Sequence, residues 1–412
     1  MAGEMLTGGM AMVFARYGSF WRRLRGAARH GFSTKAVEKY QATLASEAAQ
    51  AAFDIVQTPA DWEKRLKRAI ASSILRATYG WPQIKEEESE LITRMEAHIA
   101  RLTNALISAA LLIDFFPIIK YVPTWMAKWK RDALEWHKRD TRMFEGFYDG
   151  VRRKKMNDQQ SDCFVSTLIE NEERNGFTQK ENAWLAGILF TAGAETTASA
   201  MSYFVLAMTL YPDVMRKAQA ELDAVVGRER LPTFADQAQL PYINALCKEV
   251  LRWRPVGPLA VPRRTIKDDW YEGYLIPKGT IVIPNVWAIN RDSNVYPDFD
   301  VFHPERFLDD AVEKTLAPLT HSMGHVTYGF GRRICAGYNF ANQAMFIDIA
   351  TLLWAFDIEK AVDEFGHVIV PSSTECIDAG AAVSPAPFKC RITPRFHEVE
   401  AILKWEQASR SE

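Results

Sequence analysis

The spacing of apolar residues divides the chain in two. From about residue 35 to residue 255 they recur at helical steps beneath charged faces, which predicts one helix after another and few strands. Within this half, LAGILFTAGAETTASAMSYF is apolar nearly all round and belongs to a helix predicted from about Gln179 to Tyr211, buried on every side. From Arg263 the texture changes. RRTIKDDWYEGYLIPKGTIVIP has short β-branched runs separated by Glu-Gly and Pro-Lys-Gly turns, which predicts a small sheet. A further helical run carries Phe340, Ala344, Ile347 and Leu352 on helical spacing, and the chain then returns to strand-like runs in DIEK, HVIV and FKCRITPR. With no internal repeat, low-complexity tract or long linker, the pattern implies one α+β domain, mainly α-helical, over residues 1–412.

Composition narrows the classes. At 412 residues, 48% hydrophobic and 12% aromatic, the chain can bury a large core. Fifty basic against fifty-one acidic side chains give no reason to expect a nucleic-acid partner, although the basic run WRRLRGAARH needs an explanation. The five cysteines, at 163, 247, 335, 376 and 390, form no CxxC pair, which argues against a disulfide framework or a zinc site and for a reducing compartment. The opening MAGEMLTGGMAMVFARYGSF reads as neither signal peptide nor spanning helix. LISAALLIDFFPIIKYVPTWM, from Leu106 to Met126, is broken by Asp114, Pro117, Lys120 and Pro123; it reads as a buried helix with a proline-broken loop, or as a surface that dips into a membrane.

Four segments carry candidate chemistry. Cys335 stands before an apolar helix, where orphan amides and the helix dipole favour a thiolate, and Gly329, Gly331 and Gly337 let backbone pass close to a large flat ligand. Taken alone, such a cysteine is a small buried hydrophobe. Glu195 interrupts the apolar helix beside Thr196 and Thr197, two residues after Gly193, where a helix can widen and admit water. These side chains form a proton relay, or the threonines bond back to carbonyls one turn earlier. Glu249 and Arg252 lie at i and i+3, and with Arg306 of FHPERFL they make a buried clamp or a surface pair. Trp21 and Arg25 share a helix face, either solvated or gripping the carboxylates of a cofactor.

In this order the segments resemble a cytochrome P450, a haem-thiolate monooxygenase of the fungal microsomal type. The family's Phe-Gly-x-Gly-x-Arg-x-Cys-x-Gly loop is matched by Tyr328, Gly329, Gly331, Arg333, Cys335 and Gly337, with tyrosine replacing the first phenylalanine. Its oxygen-activating motif corresponds to Ala192, Gly193, Glu195, Thr196 and Thr197, its Glu-x-x-Arg helix to Glu249 and Arg252, and its Trp-x-x-x-Arg to Trp21 and Arg25. Arg263, in PLAVPRR, stands where the family carries a basic residue for a haem propionate.

The resemblance implies haem b with Cys335 as its axial thiolate, and haem contacts from Trp21, Arg25, Arg263 and Arg333. It also implies proton delivery by Glu195 and Thr196. The implied partners are O2, a small hydrophobic substrate and NADPH–cytochrome P450 reductase, with no nucleic acid. The implied setting is a monomer at the cytosolic face of the endoplasmic reticulum membrane, peripheral or cytoplasmic for the chain as written. Small or aliphatic residues at Leu185, Ile188, Leu189, Val256–Val261 and Ala379–Val383 match pocket-lining positions and favour an apolar substrate, a terpenoid of secondary metabolism foremost. The chain starts about a hundred residues short of the usual length and lacks the anchor and first elements. A haem-thiolate isomerase, dehydratase or peroxygenase, or a non-catalytic haem-binding fragment, are the competing readings.

Overall fold

The computed structural model describes residues 2–84, 90–104, 117–157, 162–308, 320, 322–380 and 382–409. The longer helices are α1 (Ser19–Phe32), α2 (Gln41–Gln57), α3 (Trp62–Tyr79), α4 (Glu90–Asn104), α5 (Lys128–Met156), α6 (Gln179–Leu210), α7 (Pro212–Val225), α8 (Pro241–Trp253), α9 (Tyr338–Ala355) and α10 (Val399–Ser409). The strands form four antiparallel pairs: β1 (Arg263–Arg264) with β4 (Ile281–Val282), β2 (Asp269–Tyr271) with β3 (Tyr274–Ile276), β5 (Phe356–Lys360) with β8 (Cys390–Pro394), and β6 (Cys376–Asp378) with β7 (Val383–Pro385). The architecture is the helix-rich α+β class expected, with separate two-stranded pairs in place of one small sheet. HVIV is a correction: apart from a lone bridge between Val362 and Val368 it forms no strand. Asp363 instead accepts from the amides of Phe365 and His367 around a turn whose Gly366 has φ 86°, and Val368 and Val370 stay exposed.

The 32-residue α6 is the axis of the fold. Thr178 caps it reciprocally with Glu181, whose amide donates to the threonine Oγ1 at 3.2 Å while Glu181 accepts from the Thr178 amide at 2.8 Å. Its far end stops where Pro212 opens α7. Helices α3, α5 and α9 pack around it, and two glycines set the closeness of the crossings. A Cβ on Gly187 would lie 2.4 Å from the Phe144 ring of α5, and one on Gly193 would lie 3.0 Å from Ile74 of α3. This corrects the expectation for Gly193: α6 runs through it as unbroken α-helix, and the glycine makes room for Ile74.

Helix α9 is buried on every side from Ala344 to Ala355, where it crosses α2. Two acids lie in that interface. Glu47, fully buried, accepts from Ser72 at 2.7 Å, Arg76 at 2.8 Å and Gln83 at 3.2 Å. Asp348 has no comparable set of donors among the described residues. Burial first, and the charge of Glu47 second, raise its carboxyl from 3.8 to about 8. The sign follows from linkage: the folded state keeps a proton that the unfolded chain releases, so this contribution to stability is full below about pH 4 and is lost as pH rises towards 8. Asp348→Asn is therefore expected to gain stability over the native chain between pH 5 and 8, by up to a few kcal/mol, because each tenfold change in proton affinity is worth about 1.4 kcal/mol. Denaturant melts across that range check it; parallel curves for the two proteins would show that Asp348 does not hold its proton.

Candidate active site

The cysteine loop is built by backbone. Gly329 at φ 79° and Gly331 at φ 53° take left-handed conformations that a side chain would strain. The Gly329 amide donates to the Val326 carbonyl at 2.8 Å, and the Cys335 amide donates to the Tyr328 carbonyl at 2.8 Å. Tyr328, in place of phenylalanine, gives its hydroxyl to Asn342 Oδ1 at 2.7 Å. Helix α9 begins at Tyr338 with Gly337 as its cap, so Cys335 lies just outside the first turn. Its thiol reaches solvent but is hemmed in by protein: burial pushes it above the usual thiol range, against the Gly337 amide donating to sulfur and the positive charge of Arg25.

Beside the loop, cations converge. Arg333 donates to the Met12 and Ala15 carbonyls at 3.3 and 2.9 Å, and its guanidinium lies 4.3 Å from the Trp21 ring centre. Arg263, on β1, donates to the Val13 carbonyl at 2.9 Å. Burial lowers the Arg333 pKa to about 10, with Arg263 and Arg25 adding to the shift; burial lowers Arg25 and Arg263 also. Among the described residues no carboxylate forms an ion pair with any of the three. The sequence pattern had no signal for the segment before α1, whose carbonyls take up these donors while Met10, Ala11 and Ala15 pack into the core. Trp21 is almost fully buried.

On α6 the burial breaks at one place. Residues on either side are buried, whereas Leu189, Gly193, Ala194 and Glu195 are half-exposed and Ala192 and Thr196 are exposed. Thr196 Oγ1 donates to the Ala192 carbonyl at 2.8 Å, the back-bond that was one of the two readings of this motif. Leu185 and Ile188, expected to line the pocket, are packed into the core, because they stand on faces of α6 covered by neighbouring helices. Val256 and Ala382 are buried also, Leu259 is exposed, and Ala381 lies outside the described residues.

The clamp is complete. Arg252 donates to both oxygens of Glu249 at 2.7 Å, and Arg306 Nε and the His303 amide reach Glu249 Oε1 at 3.2 and 2.9 Å. The two guanidiniums spend their other hydrogens on the carbonyls of Asn290, Phe299, Pro297 and Val301. Glu249 and Arg252 are fully buried, so this is the structural reading and not a surface pair.

A family model for cytochrome P450 matches residues 3–368. The chain is 55% identical over 403 residues to cytochrome P450 monooxygenase 58 of Postia placenta, covering 98% of this chain and 77% of that protein. It is 36% identical over 448 residues to cytochrome P450 monooxygenase iboC of Amanita muscaria, with 97% and 79% covered. A zebrafish cytochrome P450 solved with abiraterone shares the fold, with a TM-score of 0.77 at 23% identity over 96% of this chain and 87% of that one. The chain belongs to the cytochrome P450 family. It is a haem monooxygenase, of a family whose iron carries a cysteine thiolate and which uses O2, a substrate and a redox partner. The residues present fit haem: its two propionates are carboxylates, and three partly buried guanidiniums stand together with no carboxylate paired to them among the described residues.

Proposed function

We propose that Cys335 ligates the haem iron, that Trp21, Arg25, Arg263 and Arg333 hold the propionates, and that Glu195 and Thr196 deliver protons during hydroxylation of a small apolar molecule. The haem supplies oxygen activation, helped by electron density from the sulfur. The polypeptide supplies the rest. Arg25 and the Gly337 amide stabilise negative charge on Cys335 Sγ. Thr196 Oγ1, its proton committed to the Ala192 carbonyl, offers lone pairs to a water, and Glu195 can pass that water a proton. The observation that carries the reading is the accessible stretch from Ala192 to Thr196 between buried stretches of the same helix.

The test is Thr196→Ala. The haem contacts stay intact, so haem should bind normally. With reductase and substrate supplied, the ratio of hydrogen peroxide released to product formed should rise by about 10²–10⁴-fold, the usual range of a general acid–base contribution. An unchanged ratio at normal turnover would reduce Thr196 to a residue that bonds its own helix.

The finer reading is a terpenoid substrate in fungal secondary metabolism, with electrons from NADPH–cytochrome P450 reductase at the endoplasmic reticulum surface and the protein acting as a monomer. The exposed apolar turn at Leu259 and the small residues at Gly257 and Ala260 support an apolar substrate, and turnover of a panel of terpenes with the reductase checks it. Membrane contact has a specific support. No helix among the described residues is long and apolar enough to cross a membrane, yet Ile118, Tyr121, Trp125 and Met126 are more than 60% exposed, followed by Lys128, Lys130 and Arg131. The first part of the apolar segment, residues 105–116, lies outside the described residues. Tyr121→Ser with Trp125→Ser should cut sedimentation with phospholipid vesicles roughly tenfold, since each aromatic side chain buries about 150–250 Å²; undiminished binding would move the contact elsewhere.

A further inference from the structure

The clamp and the cysteine loop are separate in sequence, and one buried residue joins them. Asn290, at the end of the short helix Val286–Ile289, is fully buried. Its backbone carbonyl accepts from Arg252 of the clamp at 3.0 Å, and its amide donates to the Val286 carbonyl at 3.0 Å. Its side chain faces the loop, where Oδ1 accepts from the Val326 amide at 3.0 Å and Nδ2 donates to Thr327 Oγ1 at 3.0 Å. Thr327 Oγ1 in turn donates to the Leu251 carbonyl, on the turn of α8 that carries Arg252, at 2.7 Å.

These roles admit one orientation of the asparagine. The Val326 amide only donates, so the oxygen must face it, and the threonine's proton is committed to Leu251, so its oxygen must accept from nitrogen. Both residues thus grip the segment that turns at Gly329 and bonds back to Cys335, since the Val326 carbonyl accepts from Gly329 and the Tyr328 carbonyl from Cys335, each at 2.8 Å. A second tie, Tyr296 Oη to the Gly324 carbonyl at 2.5 Å, holds the other end of the same segment.

We propose that Asn290 and Thr327 are positioning residues for the thiolate, transmitting the rigidity of the Glu249–Arg252–Arg306 clamp to the loop so that Cys335 Sγ stays on the iron. Neither residue touches the sulfur. Their effect is on the balance between thiolate-ligated and thiol-ligated or displaced haem, which depends on how far the loop relaxes. The bonds concerned are buried, and losing one partner leaves the other unsatisfied.

Thr327→Val keeps the shape of the side chain and removes its hydroxyl, Thr327→Ser restores the hydroxyl, and Asn290→Leu removes both polar atoms. The readout is the carbon monoxide difference spectrum of reduced holoprotein, followed in time below the melting temperature, with far-ultraviolet circular dichroism recorded in parallel. Thr327→Val and Asn290→Leu should convert from the thiolate-ligated band roughly tenfold faster than native protein while circular dichroism is unchanged, the size that one buried hydrogen bond sets. Thr327→Ser should behave as native. The proposal is overturned if Thr327→Val holds the band as long as native protein, if serine fails to rescue it, or if the band is lost only in step with unfolding. Should Asn290→Leu not accumulate as folded protein, the valine and serine pair decides the matter.

Discussion

Glu249→Ala should yield little or no folded, haem-loaded protein. The substitution leaves two guanidiniums, Arg252 and Arg306, buried without their carboxylate, along with the His303 amide that shared it. Removing one partner of a buried ion pair costs about 3–5 kcal/mol. The stability of a whole domain is about 5–15 kcal/mol, so the loss reaches a large part of the total. The contrast is Glu63→Ala, which breaks an exposed i,i+4 pair with Lys67 at 2.9 Å and should cost under about 1 kcal/mol. Soluble yield, haem content per chain and urea midpoints measure both. Native-like yield and midpoint for Glu249→Ala would mean that the clamp stabilises nothing that its neighbours do not already hold.

How much of this was legible depended on how local each signal is. The burial of α6 and α9 was written in their apolar residues, and the clamp in the pairing of Glu249 with Arg252 and the arginine of PERF. The cysteine loop was legible because glycines must stand where φ is positive. Other features depend on contacts between distant parts of the chain. Gly193 looked like a place for a helix to open because a glycine does not announce what fills the space, and here it is Ile74 from α3. Leu185 and Ile188 were expected in the pocket by resemblance, and spacing along α6 says nothing of which face its neighbours cover. HVIV had the composition of a strand, but the Asp363 turn left it without a partner beyond one bridge. Asn290 carried no signal, since a lone asparagine in NVWAINRD is indistinguishable from a surface residue until Val326 and Thr327 are seen to take both ends of its amide. Glu47 was different: an acid in the alanine-rich run TLASEAAQAAF is itself a signal of a buried charge network, and the structure pairs it with Arg68 and Arg76.

The central claim is that this polypeptide holds haem through Cys335, and a carbon monoxide difference spectrum tests it with the cysteines as internal controls. Serine replacements at Cys163, Cys247, Cys376 and Cys390 remove sulfurs that take no part in the loop, and each variant that folds should keep the thiolate-ligated band of the native holoprotein. Cys335→Ser should lose that band entirely, because a hydroxyl is a far weaker iron ligand than a thiolate, even with the Gly337 amide and Arg25 still in place. A thiolate band retained in Cys335→Ser, or absent from native protein that carries one haem per chain, would contradict the account.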